Sequence, residues 1–330
     1  MNVLIALVAT GVLVLLAFWG GQVAGLRVVF GVIVPYAAIV LFLGGFIFRV
    51  AKWAQAPVPF RIPTTCGQQR SLPWIRQSKL DNPSTTLGVV GRMALEVLFF
   101  RSLFRNTKVE IRPGGNVVYS PNKWLWAAGL AFHYSFLVIF IRHLRFFTEP
   151  VPGFVNKVQA VDGFFEIGVP AIFLTSFLLL GSLGFLLLRR LVTPTLRYIS
   201  LANDYFPLFL LLGIGTTGVL LRHFVKTDIE GIKAVALGIL SFHPVTPEGI
   251  APLFTVHFFL VCVLFAVFPF SKLMHMAGVF MSPTRNMANN NRMRRHVNPW
   301  NPPLKFRTYE EYEDEFRDKM KAAGIPVEKE

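Results

Sequence analysis

Residues 124–147 read WLWAAGLAFHYSFLVIFIRHLRFF, and residues 252–275 read PLFTVHFFLVCVLFAVFPFSKLMH. Each run is as long and apolar as a helix must be to cross roughly 30 Å of hydrocarbon. Each also carries two histidines, His133 and His143 ten residues apart and His257 and His275 eighteen apart. An imidazole is costly inside a bilayer, and an intramembrane ionisable side chain has a partner as a rule. Two helices with two histidines each offer two axial-ligand pairs, as two b-type haems stacked across a membrane require. The plainer alternative is polar contact between helices, or interfacial placement for His143 and His275 near the ends of their runs.

The rest of the chain fits an all-α integral membrane protein. It has 330 residues, 53% of them hydrophobic, a composition of polytopic membrane proteins. Six runs of spanning length are read at 3–20, 29–49, 124–147, 165–188, 204–222 and 252–274. Loop charge orients them. Residues 51–123 hold eleven Lys/Arg against three acids, and 272–307 hold seven and no acid. Arg189, Arg190 and Arg197 lie in the loop 189–203. The stretches 148–162 and 224–250 have no such excess. The expectation is a six-span bundle in the cytoplasmic membrane with both termini cytoplasmic. No Lys or Arg precedes Val3 and no A-x-A site follows, so the first run reads as an uncleaved span. The net charge of +15 is then first a topology signal. A nucleic-acid partner is a poor reading, because the basic residues flank apolar spans. Cys66 and Cys262 form no CxxC, and Cys262 lies in an apolar run, so neither a disulfide nor a resident iron–sulfur cluster is expected.

The expected organisation is two transmembrane helices in 1–50, a cytoplasmic loop in 51–123, a four-helix core in 124–275 and a tail in 276–330, basic and then acidic. Segment 88–106 is interrupted by Arg92, Glu96, Arg101 and Arg105, and reads as an amphipathic helix on the cytoplasmic surface. Segment 231–242 does the same on the outer face. The tail beyond Pro302 reads as a short surface helix and an extended arm.

Span three runs outward, so His133 is inner and His143 outer, about 15 Å apart along a helix. Span six runs inward, so His257 is outer and His275 inner, about 27 Å apart on one helix face. Matching depths pairs His143 with His257 and His133 with His275. The mismatch of about 12 Å must be absorbed by tilt, a kink at Pro269 and the breadth of the macrocycle. Arg142 and Arg145 flank His143 and suit haem propionates or a quinone, or simply anchor a helix end. Glu166 and His223 are candidate proton acceptors for a quinol, with Glu149 and Asp162 as further outer-facing acids. His243, before Pro244 in the outer loop, competes with His223 as a ligand or proton carrier at the outer surface, or is a solvated interfacial residue, and His296 reads as a surface residue.

The ten- and eighteen-residue spacings over roughly 121–280 resemble the membrane cytochrome b subunits of the respiratory nitrate reductase gamma family. The resemblance implies two haems b on His133, His143, His257 and His275, paired crosswise as above. Residues 66–107, CGQQRSLPWIRQSKLDNPSTTLGVVGRMALEVLFFRSLFRNT, and 286–303, NMANNNRMRRHVNPWNPP, are similar to the DsrM family, the cytochrome b subunits of the Dsr transmembrane complex of dissimilatory sulfur metabolism. That likeness implies a cytoplasmic iron–sulfur partner related to heterodisulfide reductases. It also implies a periplasmic multihaem cytochrome, a periplasmic iron–sulfur protein, a second membrane subunit and menaquinone or another quinone.

The expected function is quinol oxidation near the outer face, with electrons passed through two haems b to the cytoplasmic partner. The basic stretch 272–307 is placed to dock it. Quinone reduction in the reverse sense, with the quinone site on either face, and a haem-free anchor or transporter are the alternatives. No matching halves of the chain favour a transporter.

Overall fold

The structure is a computed structural model that describes residues 1–56, 58, 69–105, 108–246, 249–294, 303 and 306–329. Cys66 and His296 lie outside the described residues. Among the described residues, six helices are long and apolar enough to cross a membrane. They are α1 (Asn2–Gly20), α2 (Val34–Ala54) with the turns that extend its span back to Ala24, α5 (Lys123–His143), α7 (Leu174–Val192), α9 (Ala202–His223) and α11 (Pro252–Val267). Between them lie α3 (Thr86–Phe99), α4 (Arg101–Phe104), the hairpin β1 (Lys108–Ile111) and β2 (Val117–Ser120), α6 (Gly153–Phe164), α8 (Pro194–Ile199) and α10 (Ile229–Leu240). After α11 come α12 (His275–Gly278), α13 (Pro283–Asn286) and α14 (Tyr309–Ala322). Helices close every backbone hydrogen bond within the segment, which is why apolar spans take this form where no water can reach them.

The helices join in a bundle: α5 packs on α7, α7 on α9, and α9 on α11, while α1 lies against α9 and α11 and α2 against α11. Leu179 and Leu183 meet Leu210, Leu211, Val256, Leu260 and Leu264 at its centre. Large apolar side chains such as Leu4, Val40 and Ile47 face outward, as a lipid-facing surface demands.

Two spans end differently from the sequence reading. Span four does not begin at residue 165. Residues Glu166–Ile167 (β3) and Ile172–Phe173 (β4) form a short antiparallel hairpin, and α7 starts only at Leu174. Gly168, at φ +89°, takes a conformation that favours glycine, and Pro170 has no N–H to give a helix. Span six does not run straight to His275. The α-helix stops at Val267, Pro269 sits in a 3₁₀ turn, and Ser271 is extended. A second tight turn over Lys272–Met274 then leads into α12. The expected separation of five helical turns from His257 therefore does not hold. The break after Pro269 removes the spacing mismatch that a straight helix would create.

Helix α3 is inside out. Thr85 caps it by accepting from the Gly88 N–H (3.2 Å). Arg92 and Glu96 point into the protein and pair at 2.8 Å with side chains 7% and 4% exposed. Leu87, Val90 and Leu98 face outward, the reverse of a helix on a water-soluble protein and the arrangement of one lying in a bilayer interface. Glu96 also accepts from the Ser102 N–H (3.0 Å) and from its hydroxyl, which ties α4 to α3. Asp81 accepts from Arg101 and from Arg105.

On the opposite end of the bundle, Asp228 caps α10 through the Gly231 N–H (3.0 Å), and the Tyr36 hydroxyl donates to Ile239 O (3.0 Å). In the tail, Thr308 and Glu311 form a capping box at the start of α14. The arm does not extend away. It returns to α14, where buried Glu313 accepts from the Glu328 and Lys329 N–H groups at 2.7 and 2.9 Å.

Removing one member of the Arg92–Glu96 pair leaves the other charge buried alone, so Arg92→Ala is expected to cost about 3 kcal/mol. A thermal melt in detergent checks this, with Arg92→Met/Glu96→Met expected to lose less. Burial alone would raise the Glu96 carboxyl, but the Ser102 bonds and Arg92 hold it below its ordinary value. A depressed carboxylate contributes stability above its ordinary range and loses it as pH falls through the folded value. The α3–α4 unit should thus loosen only below the ordinary carboxylate range, seen as faster proteolysis of residues 101–105 in acid; an equal loss at neutral pH would contradict this.

Candidate functional site

The imidazoles meet in two pairs. His133, on α5, and His275, at the start of α12, have ring centres 6.0 Å apart at 81°. His143, the last residue of α5, and His257, on α11, have ring centres 6.4 Å apart at 20°. A metal–imidazole bond of about 2 Å, taken twice with two ring half-widths of about 1 Å each, places the ring centres about 6 Å apart around one metal ion.

Each ring is held by its Nδ1. His133 donates to Gly129 O and His143 to Ile139 O, both at 2.7 Å, and His275 donates to Lys272 O at 2.9 Å. A carbonyl can only accept, so Nδ1 carries the proton and Nε2 keeps its lone pair. His257 differs. Its Nδ1 lies 2.9 Å from Thr217 Oγ1. That hydroxyl donates to Gly213 O and Ile214 O (2.8 and 3.1 Å), so it accepts from His257 and the same tautomer results. Hydrogen bonding of the outer nitrogen is what fixes the orientation of a metal-bound imidazole. Gly218 makes the approach possible, because a Cβ there would stand 3.1 Å from His257 Cε1.

Among the described residues, no three His, Cys, Asp or Glu side chains gather as a ligand set. A haem iron needs only two axial side chains, and these two pairs, with four free Nε2 atoms, fit that group.

The His143–His257 pair adjoins a cationic cluster. Arg142 Nη1 donates to Asp162 Oδ2 (2.6 Å), and the Thr175 hydroxyl donates to the same oxygen (2.7 Å). The Arg142 and Arg222 guanidinium groups both lie over the Phe173 ring, 4.2 and 5.2 Å from its centre. The His223 ring meets Phe173 edge-on at 5.1 Å. Arg142 Nε, Arg145 Nε and His223 Nε2 are buried without a hydrogen-bond partner. A buried donor left unmatched is costly, so the two arginine Nε–H groups mark a place for an acceptor-rich group, and the unpartnered His223 Nε2 lies at the same end of the bundle.

The structure thus gathers Arg142, Asp162 and His223 near the His143–His257 pair. Glu166 is exposed in β3, paired across the hairpin with Phe173. Glu149 is drawn off to Lys233 on α10. His243 is exposed, with its Nδ1 on Ser241 O (2.7 Å). Thr217, Thr175, Phe173 and Arg222 escaped the sequence reading. A threonine or phenylalanine in an apolar run carries no signal of its own, and Arg222 reads as a helix-end anchor.

Residues 92–295 match the nitrate reductase gamma subunit family. The chain is 45% identical over 282 residues to the Hdr-like menaquinol oxidoreductase cytochrome b-like subunit of Archaeoglobus fulgidus, covering 83% of this chain and 84% of that one. It is 44% identical over 275 residues to the protein of the same description from Archaeoglobus profundus, covering 81% of each. The chain belongs to the nitrate reductase gamma subunit family, as a multi-pass membrane cytochrome b subunit of the Hdr-like, DsrM-like kind.

Proposed function

We propose that this subunit oxidises menaquinol near the outer face and delivers the electrons to a cytoplasmic iron–sulfur partner. In this reading His143 with His257, and His133 with His275, would hold the two haems. Two haems b, when bound, supply one-electron carriers at two depths. The observation that carries the reading is the pair of ring separations, 6.0 and 6.4 Å, with Nδ1 engaged in all four histidines. The quinone class follows the names of the Archaeoglobus relatives, which are called menaquinol oxidoreductase subunits.

Quinol oxidation also releases two protons, and the chain's own residues handle them. His223 Nε2 is buried without a hydrogen-bond partner among the described residues, so Nε2 is the proton acceptor in this reading. Glu166, exposed on β3 beside it, passes the proton outward. Arg142 and Arg145 hold anionic or carbonyl oxygens of the propionates or the quinone, and Asp162 with Thr175 keeps Arg142 in place.

Both termini are cytoplasmic in this account, and the basic stretch from Lys272 receives the partner by charge complementarity. That partner is heterodisulfide-reductase-like, within a larger complex of sulfur metabolism that includes a periplasmic multihaem cytochrome and a second membrane subunit. The reverse reading, quinone reduction at the inner end, draws on one observation. The Tyr205 hydroxyl is buried without a partner, next to Asp204, which holds Lys272.

Reduction of the haem absorbance by a short-chain menaquinol, followed by stopped flow, checks the site. His223→Ala should slow it by about 100-fold with haem content intact, and Glu166→Gln by less. Tyr205→Phe should leave it unchanged. A rate that responds to Tyr205→Phe and ignores His223→Ala would move the quinone site to the inner end.

A further inference from the structure

The inner pair of histidines has a cover built from the cytoplasmic segment. Helix α3 ends at Phe99, and Phe100 turns the chain with φ 49° and ψ 45°, a left-handed conformation that a bulky residue takes only when its surroundings enforce it. The turn is enforced from several sides. The Phe100 N–H donates to Glu96 O (3.2 Å). Trp126 Nε1 and the Tyr134 hydroxyl, both on α5, donate to Phe99 O (2.7 Å) and Leu98 O (2.8 Å). These are end-of-helix carbonyls that otherwise lack partners. Across the turn, Glu96 holds Ser102, and Arg92 Nη2 donates to the Ser102 hydroxyl (3.2 Å).

The strained turn aims one ring. Phe100 stands edge-on to His133 with ring centres 4.8 Å apart, and Phe132 flanks the same imidazole at 4.9 Å. Leu103 and Phe100 also close over Gly129, whose carbonyl holds His133 Nδ1. Among the described residues His143, by contrast, has one aromatic neighbour besides His257, Phe146 at 5.9 Å. His133 is otherwise on the exposed side of α5, so without Phe100 its rotamer would rest on one backbone carbonyl and Phe132.

We propose that Phe100 is a positioning residue for the inner haem ligand His133, and that the α3–α4 elbow is built to press it there. This rests on the di-haem reading above. The elbow carries no metal ligand of its own; it limits the motion of the imidazole and denies external ligands the iron's sixth position.

The test uses the full-length protein in detergent, reduced with dithionite and exposed to carbon monoxide. A haem with both imidazoles firmly bound does not take up the gas, whereas one whose imidazole swings away does. Phe100→Gly removes the ring while glycine keeps the left-handed turn at no steric cost. The expected result is that CO-reactive haem rises from near zero to about half of the total. The His143–His257 haem should remain unreactive, and the low-spin electron paramagnetic resonance signal of one haem alone should shift. Phe100→Tyr, which restores a ring, should return the reactivity to near zero. Two haems that both stay unreactive in Phe100→Gly, with both signals unchanged, would overturn the proposal. If Phe100→Gly does not fold, the comparison of Phe100→Leu with Phe100→Tyr decides: reactivity in Leu alone supports the role, and equal behaviour overturns it. Wild-type protein without haem would instead overturn the di-haem reading, a separate outcome.

Discussion

The bond at each imidazole Nδ1 is the constraint on which the site depends. An unheld histidine in an apolar bundle would swing toward any polar neighbour or toward water. Here three histidines bond a carbonyl three or four residues earlier in their own chain, and the fourth bonds Thr217 on α9. All four therefore keep the lone pair on Nε2. The pairs sit at the middle and at the last residue of α5, so the depth of the site is set by that helix, and α11 with the turns behind it adapts to meet it.

That adaptation explains the break near Pro269. A straight helix would carry His275 well beyond the level of His133. Pro269 and the extended Ser271 stop the helix, and the chain folds back through tight turns to bring His275 to within 6.0 Å of His133. Lys272, within these turns, is tied to Asp204 at the start of α9, which anchors the segment to the bundle. A proline in a span costs a helical hydrogen bond; here its position determines which depth the last histidine reaches. The His133–His275 site is completed by α3 and α4, whose buried charges and outward apolar face suit a helix resting at the membrane surface.

Much of this was legible in the sequence. Span number followed from apolar length alone, because hydrocarbon thickness fixes helix length. The four histidines stood out because ionisable groups are rare in such runs. The start of α7 was missed, since residues 165–173 are apolar enough to continue a span and only Gly168 and Pro170 betray the hairpin. The inverted polarity of α3 was partly visible as charges in an apolar run, but whether Arg92 and Glu96 face in or out depends on contacts outside the helix, with Ser102 and Asp81 beyond its two ends and Arg285 distant in sequence. Thr217 and Phe100 were invisible, because their roles arise from packing between helices and not from any local pattern.

The measurement that bears most directly on this account is haem content by pyridine haemochrome assay of the purified chain, with His133→Ala and His257→Ala alongside. The account predicts about two b-type haems per chain, with loss of one in each variant: the inner haem in the first and the outer in the second. A well-folded wild-type chain without haem, or variants that retain both, would contradict it.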